Sequence, residues 1–112
     1  MKMNDWNDHS RAGDEGPAKL SPDVMSDYIT LCGTGVKAGH LDAKTRELIA
    51  LTVAVSLRCE SCIPVHADAA RMLGVTQEEL AEALSLAVSI NAGAAVVYSN
   101  RAFNAFQAPR EA

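Results

Sequence analysis

The stretch Glu47–His66, ELIALTVAVSLRCESCIPVH, decides both the fold of this chain and the place of its chemistry. It joins a nearly unbroken apolar run to a Cys-x-x-Cys pair, Cys59 and Cys62, and His66 follows four residues later. With about 3.6 residues per helical turn, this spacing places both thiols and the imidazole on one helical stripe. Residues three apart on a helix lie about 5 Å from each other, within the range that a disulfide tolerates. The two cysteines can therefore be oxidised together without a large backbone movement.

Pro64 indicates where the helix that carries these residues begins. Because proline fits only in the first turn of a helix, we expect this helix to start near Cys59 to Cys62. Both thiols then lie near a helix N-terminus, whose partial positive charge lowers a cysteine pKa from its usual value of about 8.5. His66 lies one turn after Cys62, where helical side chains meet, and is the expected acceptor of that thiol's proton.

The composition predicts a single domain that is acidic and rich in small aliphatic residues. With 112 residues and 48% hydrophobic content the chain can bury one core, and 4% aromatic content suits closely packed helices. A net charge of −4 gives no field that would attract nucleic acid or an anionic membrane. The apolar runs look too short to span a bilayer, and the N-terminus lacks a secretory signal. Three cysteines do not suit a secreted disulfide framework, so we expect a cytoplasmic protein.

Capping signals predict an all-α domain over residues 21–112, preceded by a disordered or loosely packed arm over residues 1–20. Ser21 caps the first helix, with a proline in the first helical position. Cys32 falls on the apolar face of that helix and is expected to be buried as a small hydrophobic residue. Asp42 caps the second helix, which is apolar nearly all round and should be central in the fold or in an oligomer.

The second half of the chain carries signals for three further helices, which brings the expected number to about five. The third helix ends at Gly74, and Thr76 opens the fourth with a capping box. The small residues around Gly93 are expected to interrupt this helix, so that a fifth covers roughly residues 94–107. They would also allow another helix to approach closely. No segment has the alternating pattern of a strand.

Glu47 is the acidic exception within the apolar second helix. Burying a lone carboxylate costs several kcal/mol, so it needs a partner or access to water. One interpretation pairs it with Lys44 or Arg46 near the start of the helix. The other brings it to the cysteine motif, either within one chain or across subunits, and the sequence leaves both arrangements open.

Three other interpretations use the same residues. Two cysteines, a histidine and a carboxylate form a possible zinc site, although ligands along one short helix differ from the usual turn that wraps the ion. Residues 73–84, LGVTQEELAEAL, resemble part of a helix-turn-helix, but they are acidic and offer no side chains that read bases. A structural helical oligomer with inert cysteines is the third.

Residues 44–84, KTRELIALTVAVSLRCESCIPVHADAARMLGVTQEELAEAL, resemble the core of the carboxymuconolactone decarboxylase and AhpD-like alkylhydroperoxidase family. The resemblance implies an all-α fold and a thiol redox centre that reduces hydroperoxides without a metal or organic cofactor. Cys59 and Cys62 would be the redox pair, His66 the base beside Cys62, and Glu47 the carboxylate that orients or recharges this base.

The resemblance also implies partners and an assembly. A dithiol, lipoyl or thioredoxin-like, would reduce the disulfide, and the chain would assemble into trimers or hexamers. The best-known alkylhydroperoxidase has a second histidine between its cysteines, where this chain has Ser61, so we expect a shorter relay here. True lactone decarboxylases of the family lack the cysteine pair, so its presence here favours the peroxidase branch and leaves a decarboxylase-like lyase as the alternative activity.

Overall fold

The computed structural model describes residues 19–108 and 110, and within them the chain is all-α without a strand, as predicted. Four helices and one 3-10 turn make up these residues rather than about five helices. The predicted arm, residues 1–20, lies outside the described residues except for its last two positions. The elements are α1 (Pro22–Thr34), the 3-10 turn Gly35–Ala38, α2 (Ala43–Leu57), α3 (Cys62–Met72) and α4 (Gln77–Gln107).

The predicted N-terminal caps are present on α1 and α2. The Ser21 hydroxyl accepts a hydrogen bond from the backbone N–H of Val24 at 3.2 Å. A carboxylate oxygen of Asp42 accepts one from the N–H of Thr45 at 2.8 Å. Bonds from the side chain and backbone of Thr45 hold the pKa of Asp42 below its ordinary value. These bonds satisfy backbone donors that the first turn of a helix leaves without partners, which is why both helices begin where the sequence predicts.

Helix α4 runs unbroken for 31 residues, so the predicted interruption near Gly93 is wrong. Thr76 and Glu79 form the predicted capping box at its start. A glycine within a helix costs about 1 kcal/mol relative to alanine, which is too little to end a helix that is bonded on both sides. The Asn91 amide donates to the carbonyl of Ala87 at 2.7 Å, one turn back, instead of turning the chain.

The continuity of α4 also corrects the expectation that the apolar runs are too short for a bilayer. Residues 83–100 contain no Asp, Glu, Lys or Arg. By length and composition, α4 is long and apolar enough to cross a membrane. Eight of its large hydrophobic side chains are exposed in the single chain.

Helix α2 is the centre of packing, because it contacts both α3 and α4. The buried hydrophobic side chains of the described residues are few and mostly small, namely Leu51, Ala54, Ala70 and Ala87. The prediction of a central α2 holds for the side that carries Leu51 and Ala54, whereas Leu57 is 74% exposed. The interior formed by one chain is thus small.

Helix α1 packs mainly against the 3-10 turn that follows it, and none of its residues is buried. The predicted burial of Cys32 is therefore wrong, because its thiol is exposed on α1. A hydrogen bond with this thiol raises the pKa of Tyr28, one turn earlier. The apolar face of α1 exists as predicted, but no other helix among the described residues covers it.

Candidate active site

The turn between α2 and α3 positions the cysteine pair. Helix α2 ends at Arg58, which has a φ of 58° in the left-handed region. The backbone N–H of Arg58 bonds to the carbonyl of Val55 at 3.1 Å, and that of Cys59 bonds to the carbonyl of Ala54 at 2.9 Å. These bonds close the C-terminus of α2 and fix the direction in which the chain leaves it.

Helix α3 begins at Cys62, within the predicted range, so Cys59 lies in the turn and not on the helix itself. The prediction that both thiols and the imidazole share one helical stripe therefore holds only for Cys62 and His66. The backbone N–H groups of Cys62 and Ile63 both donate to the carbonyl of Cys59 at 3.2 Å. This keeps the two cysteine Cα atoms 5.3 Å apart, and the two residues form a disulfide.

Glu47 and His66 meet within one chain. An oxygen of the Glu47 carboxylate lies 2.7 Å from Nδ1 of His66. The side chains are partly exposed, 23% for Glu47 and 36% for His66, so the contact is shielded on one side and open to solvent on the other. The packing of α3 against α2 produces this contact between residues 19 positions apart.

The Glu47–His66 contact assigns roles to the two imidazole nitrogens. A carboxylate accepts hydrogen bonds, so Nδ1 of His66 carries the donated proton. In the neutral imidazole, Nε2 then holds the lone pair and can accept a proton from a thiol or a substrate. The arrangement can therefore act as a base that a carboxylate orients and stabilises when it becomes charged.

The alternative partners of Glu47 have other contacts. The Lys44 ammonium pairs with the carboxylate of Glu79 on α4 at 3.1 Å. The Arg46 guanidinium donates to the backbone carbonyl of Leu41. A bond from the Thr76 backbone, together with Lys44, holds the pKa of Glu79 below its ordinary value. The salt bridge suggested for Glu47 with Lys44 or Arg46 is therefore wrong.

The described residues offer no support for the zinc alternative. They contain no group of three or more histidine, cysteine, aspartate or glutamate side chains arranged to hold a metal ion. Both sulfurs of the motif are joined to each other instead.

Ser61 adds a contact that the sequence reasoning did not assign. Its hydroxyl oxygen lies 3.8 Å from the sulfur of Cys59, and both residues are half-buried. The sequence singled out this position only because the resembling enzyme has a histidine there. The spacing of two residues from Cys59, at the start of a helix, is the signal that could have suggested the contact.

Comparison with known proteins places these features among relatives. The carboxymuconolactone decarboxylase family model matches residues 22–106, from α1 to nearly the end of α4. An uncharacterised protein of Haemophilus influenzae is 42% identical over 105 residues, which cover 91% of this chain and 93% of that protein. Uncharacterised protein 4 in the cox locus of Paracoccus denitrificans is 42% identical over 75 residues, 67% of this chain and 68% of its own. A crystal structure of a Methanobacterium thermoautotrophicum protein superposes with a TM-score of 0.67 at 31% identity, covering 77% of this chain and 98% of that one.

Proposed function

Because this chain belongs to the carboxymuconolactone decarboxylase family, we propose that it is a thiol-dependent peroxidase that reduces small alkyl hydroperoxides. The observation that carries the proposal is the Cys59–Cys62 disulfide, at the N-terminus of a helix whose His66 is bonded to Glu47. A lyase of the lactone decarboxylase type has no use for an oxidisable pair. Catalytic roles for these four residues are part of the proposal.

In the oxidative half of the reaction, Nε2 of His66 accepts the thiol proton of Cys62, and Glu47 stabilises the resulting imidazolium. The Cys62 thiolate attacks the terminal oxygen of the hydroperoxide, a sulfur–oxygen bond forms, and the O–O bond breaks. The leaving alkoxide takes the proton from His66 and departs as an alcohol. The Cys59 thiol then displaces water from the Cys62 sulfenic acid, and the disulfide forms.

In the reductive half, a dithiol returns the pair to its reduced form. Its first thiolate attacks the disulfide to give a mixed disulfide, and its second thiol releases the two cysteines and leaves oxidised. The resemblance favours a lipoyl group or a thioredoxin-like protein as this donor, in the cytoplasm. No step uses a metal or an organic cofactor of the protein.

Thiol titration around a single oxidation tests this proposal. Fully reduced protein should present three thiols, and one equivalent of cumene hydroperoxide should remove two of them together. Cys59→Ser and Cys62→Ser should each abolish the paired loss, whereas the matched control Cys32→Ser should retain it. A thiol count that peroxide leaves unchanged would overturn the proposal. Turnover of a muconolactone that survives both active-site substitutions would favour the lyase instead.

We further propose that copies of this chain assemble through the apolar surface of α4. Its exposed side chains include Leu86 at 62%, Val96 at 73%, Phe103 at 65% and Phe106 at 89%. In all, α4 exposes eight large hydrophobic side chains, three of them aromatic, and each partner in a stable complex buries ~800 Å² of surface. Residues 83–100 have no charge that would keep two such surfaces apart.

A membrane is the rival cover for this surface. The first half of α4 is tied to α2 by the Lys44–Glu79 ion pair and by the Asn91 amide, which donates to the Ser56 hydroxyl at 2.8 Å. These polar contacts hold α4 against α2 in a folded protein. They favour cover of its apolar surface by a second copy over insertion of the helix into lipid. Sedimentation equilibrium of the full chain should give a trimer or hexamer. A monomer that binds phosphatidylcholine vesicles would overturn the proposed assembly and indicate instead that a membrane covers α4.

A further inference from the structure

The environment of Cys59 differs from that of Cys62. Ser61, directly before α3, lies with its hydroxyl oxygen 3.8 Å from the Cys59 sulfur, and it does not cap the helix with its side chain. In the disulfide the Cys59 sulfur carries no proton, so the hydroxyl is the donor in this contact. Cys62, by contrast, lies one turn before His66, whose Nδ1 is hydrogen-bonded to the Glu47 carboxylate.

We infer that Ser61 is the positioning residue of Cys59: its hydroxyl donates a hydrogen bond to the Cys59 sulfur and stabilises its thiolate. The two cysteines would then be activated separately, Cys62 by His66 and Cys59 by Ser61. The inference rests on the proposed redox function of the pair.

The strength of this hydrogen bond should depend on the oxidation state. A thiolate is a charged acceptor, and charge-assisted hydrogen bonds are roughly twice as strong as neutral ones. Ser61 therefore favours the reduced, ionised form of Cys59 over the disulfide. A more stable reduced form makes the disulfide a stronger oxidant, so Ser61 should raise the reduction potential of the pair.

The titratable and charged groups next to Cys59 in sequence, and those of the cysteine motif's proposed relay, lie on three elements. Arg58 and Glu60 flank it in the turn, Glu47 lies on α2, and His66 lies on α3. Across α4, residues 83–100 contribute no Asp, Glu, Lys or Arg. None of these groups changes when Ser61 is replaced, so a change of the thiolate pKa can be attributed to the hydroxyl.

The first test measures the pKa of each cysteine by itself, from thiolate ultraviolet absorbance against pH. In a Cys32→Ser/Cys62→Ser chain the remaining thiol is Cys59, and Ser61→Ala should raise its pKa by about one unit, because a hydrogen bond to a charged group contributes roughly that much. Ser61→Thr keeps a hydroxyl and should restore the pKa. In the matched Cys32→Ser/Cys59→Ser chain, the pKa of Cys62 should change little. No shift at Cys59, or an equal shift at both cysteines, would overturn the inference.

The second test measures the reduction potential of the intact pair in the Cys32→Ser chain, by equilibration with a dithiol. At a pH above the Cys59 pKa, Ser61→Ala should shift the exchange equilibrium about tenfold, equivalent to ~30 mV, towards a more negative potential. Below that pKa the thiol is protonated and the difference should vanish. A difference that is constant with pH would indicate a merely structural role and overturn the inference. If the pKa of Cys59 shifts as expected but the protein does not turn over peroxide, the inference about Ser61 stands and the proposed peroxidase activity is overturned.

Discussion

Two parts of the molecule use helices in different ways. The packed part consists of α2, α3 and residues 77–93 of α4, and it holds the buried hydrophobic side chains together with the polar contacts between helices. The uncovered part consists of α1 and residues 94–107 of α4, where no residue is buried. The comparison shows that the described part of one chain brings Glu47, His66 and the two cysteines together, while many of its large hydrophobic side chains are exposed.

The largest effect is expected from one histidine in the packed part. His66→Gln removes the proposed base and should slow peroxide-dependent thiol loss by roughly 100-fold or more at neutral pH. His40, exposed between the 3-10 turn and α2, supplies the matched control, and His40→Gln should leave the rate unchanged. Stopped-flow measurement of thiol oxidation compares the two variants. Equal rates for both variants would mean that His66, and with it the packed part, has no special role in thiol oxidation.

The next effect separates burial within one chain from burial between copies. Leu51 is 3% exposed, so Leu51→Ala should lower the free energy of unfolding by about 2–5 kcal/mol at every protein concentration. Phe103 is 65% exposed in the single chain, and Phe103→Ala should destabilise only through lost association. Its cost should therefore grow with protein concentration, up to about 3 kcal/mol.

Urea unfolding at two protein concentrations measures both changes. Asn104→Ala, on the same exposed turn of α4 but without an apolar side chain to lose, is the control and should behave like the unmodified protein at each concentration. A Phe103→Ala variant that is as stable as the unmodified chain at high concentration would mean that no copy covers this end of α4.

The smallest effect concerns two glycines. A Cβ added at Gly93 meets no atom within 4 Å, so Gly93→Ala should raise the free energy of unfolding by about 0.5–1 kcal/mol. Gly39 has a φ of 70°, so Gly39→Ala should lower the same quantity by about 1–2 kcal/mol. Thermal unfolding gives both signs. Weaker association of the Gly93 variant would instead place the backbone of a second copy against this point of α4.

Local sequence signals predicted the features that local physics controls. Ser21, Asp42 and Thr76 begin their helices because each side chain accepts a hydrogen bond within the same turn. The interval between the cysteines likewise predicted their approach, because three residues at the start of a helix have few arrangements. These features needed no knowledge of the rest of the fold.

The features that the sequence left open or predicted wrongly depend on contacts between distant parts of the chain. His66 became the partner of Glu47 because α3 packs on α2, and nothing within a few residues of Glu47 signals that contact. The small cost of Gly93 was outweighed by the hydrogen bonds of a continuous helix. Cys32 lies on a correctly predicted apolar face, but the pattern of a face does not tell whether another segment or another molecule covers it.

Arg58 is the one described residue other than glycine with a positive φ, and it comes directly before Cys59. A side chain in this conformation costs roughly 1–2 kcal/mol, whereas glycine would adopt it freely. A glycine would also let the peptide swing through a wider range of angles. The arginine thus costs some stability at this position but narrows the positions that the Cys59 sulfur can occupy once the disulfide is reduced, so the two thiols should stay close enough to be oxidised again.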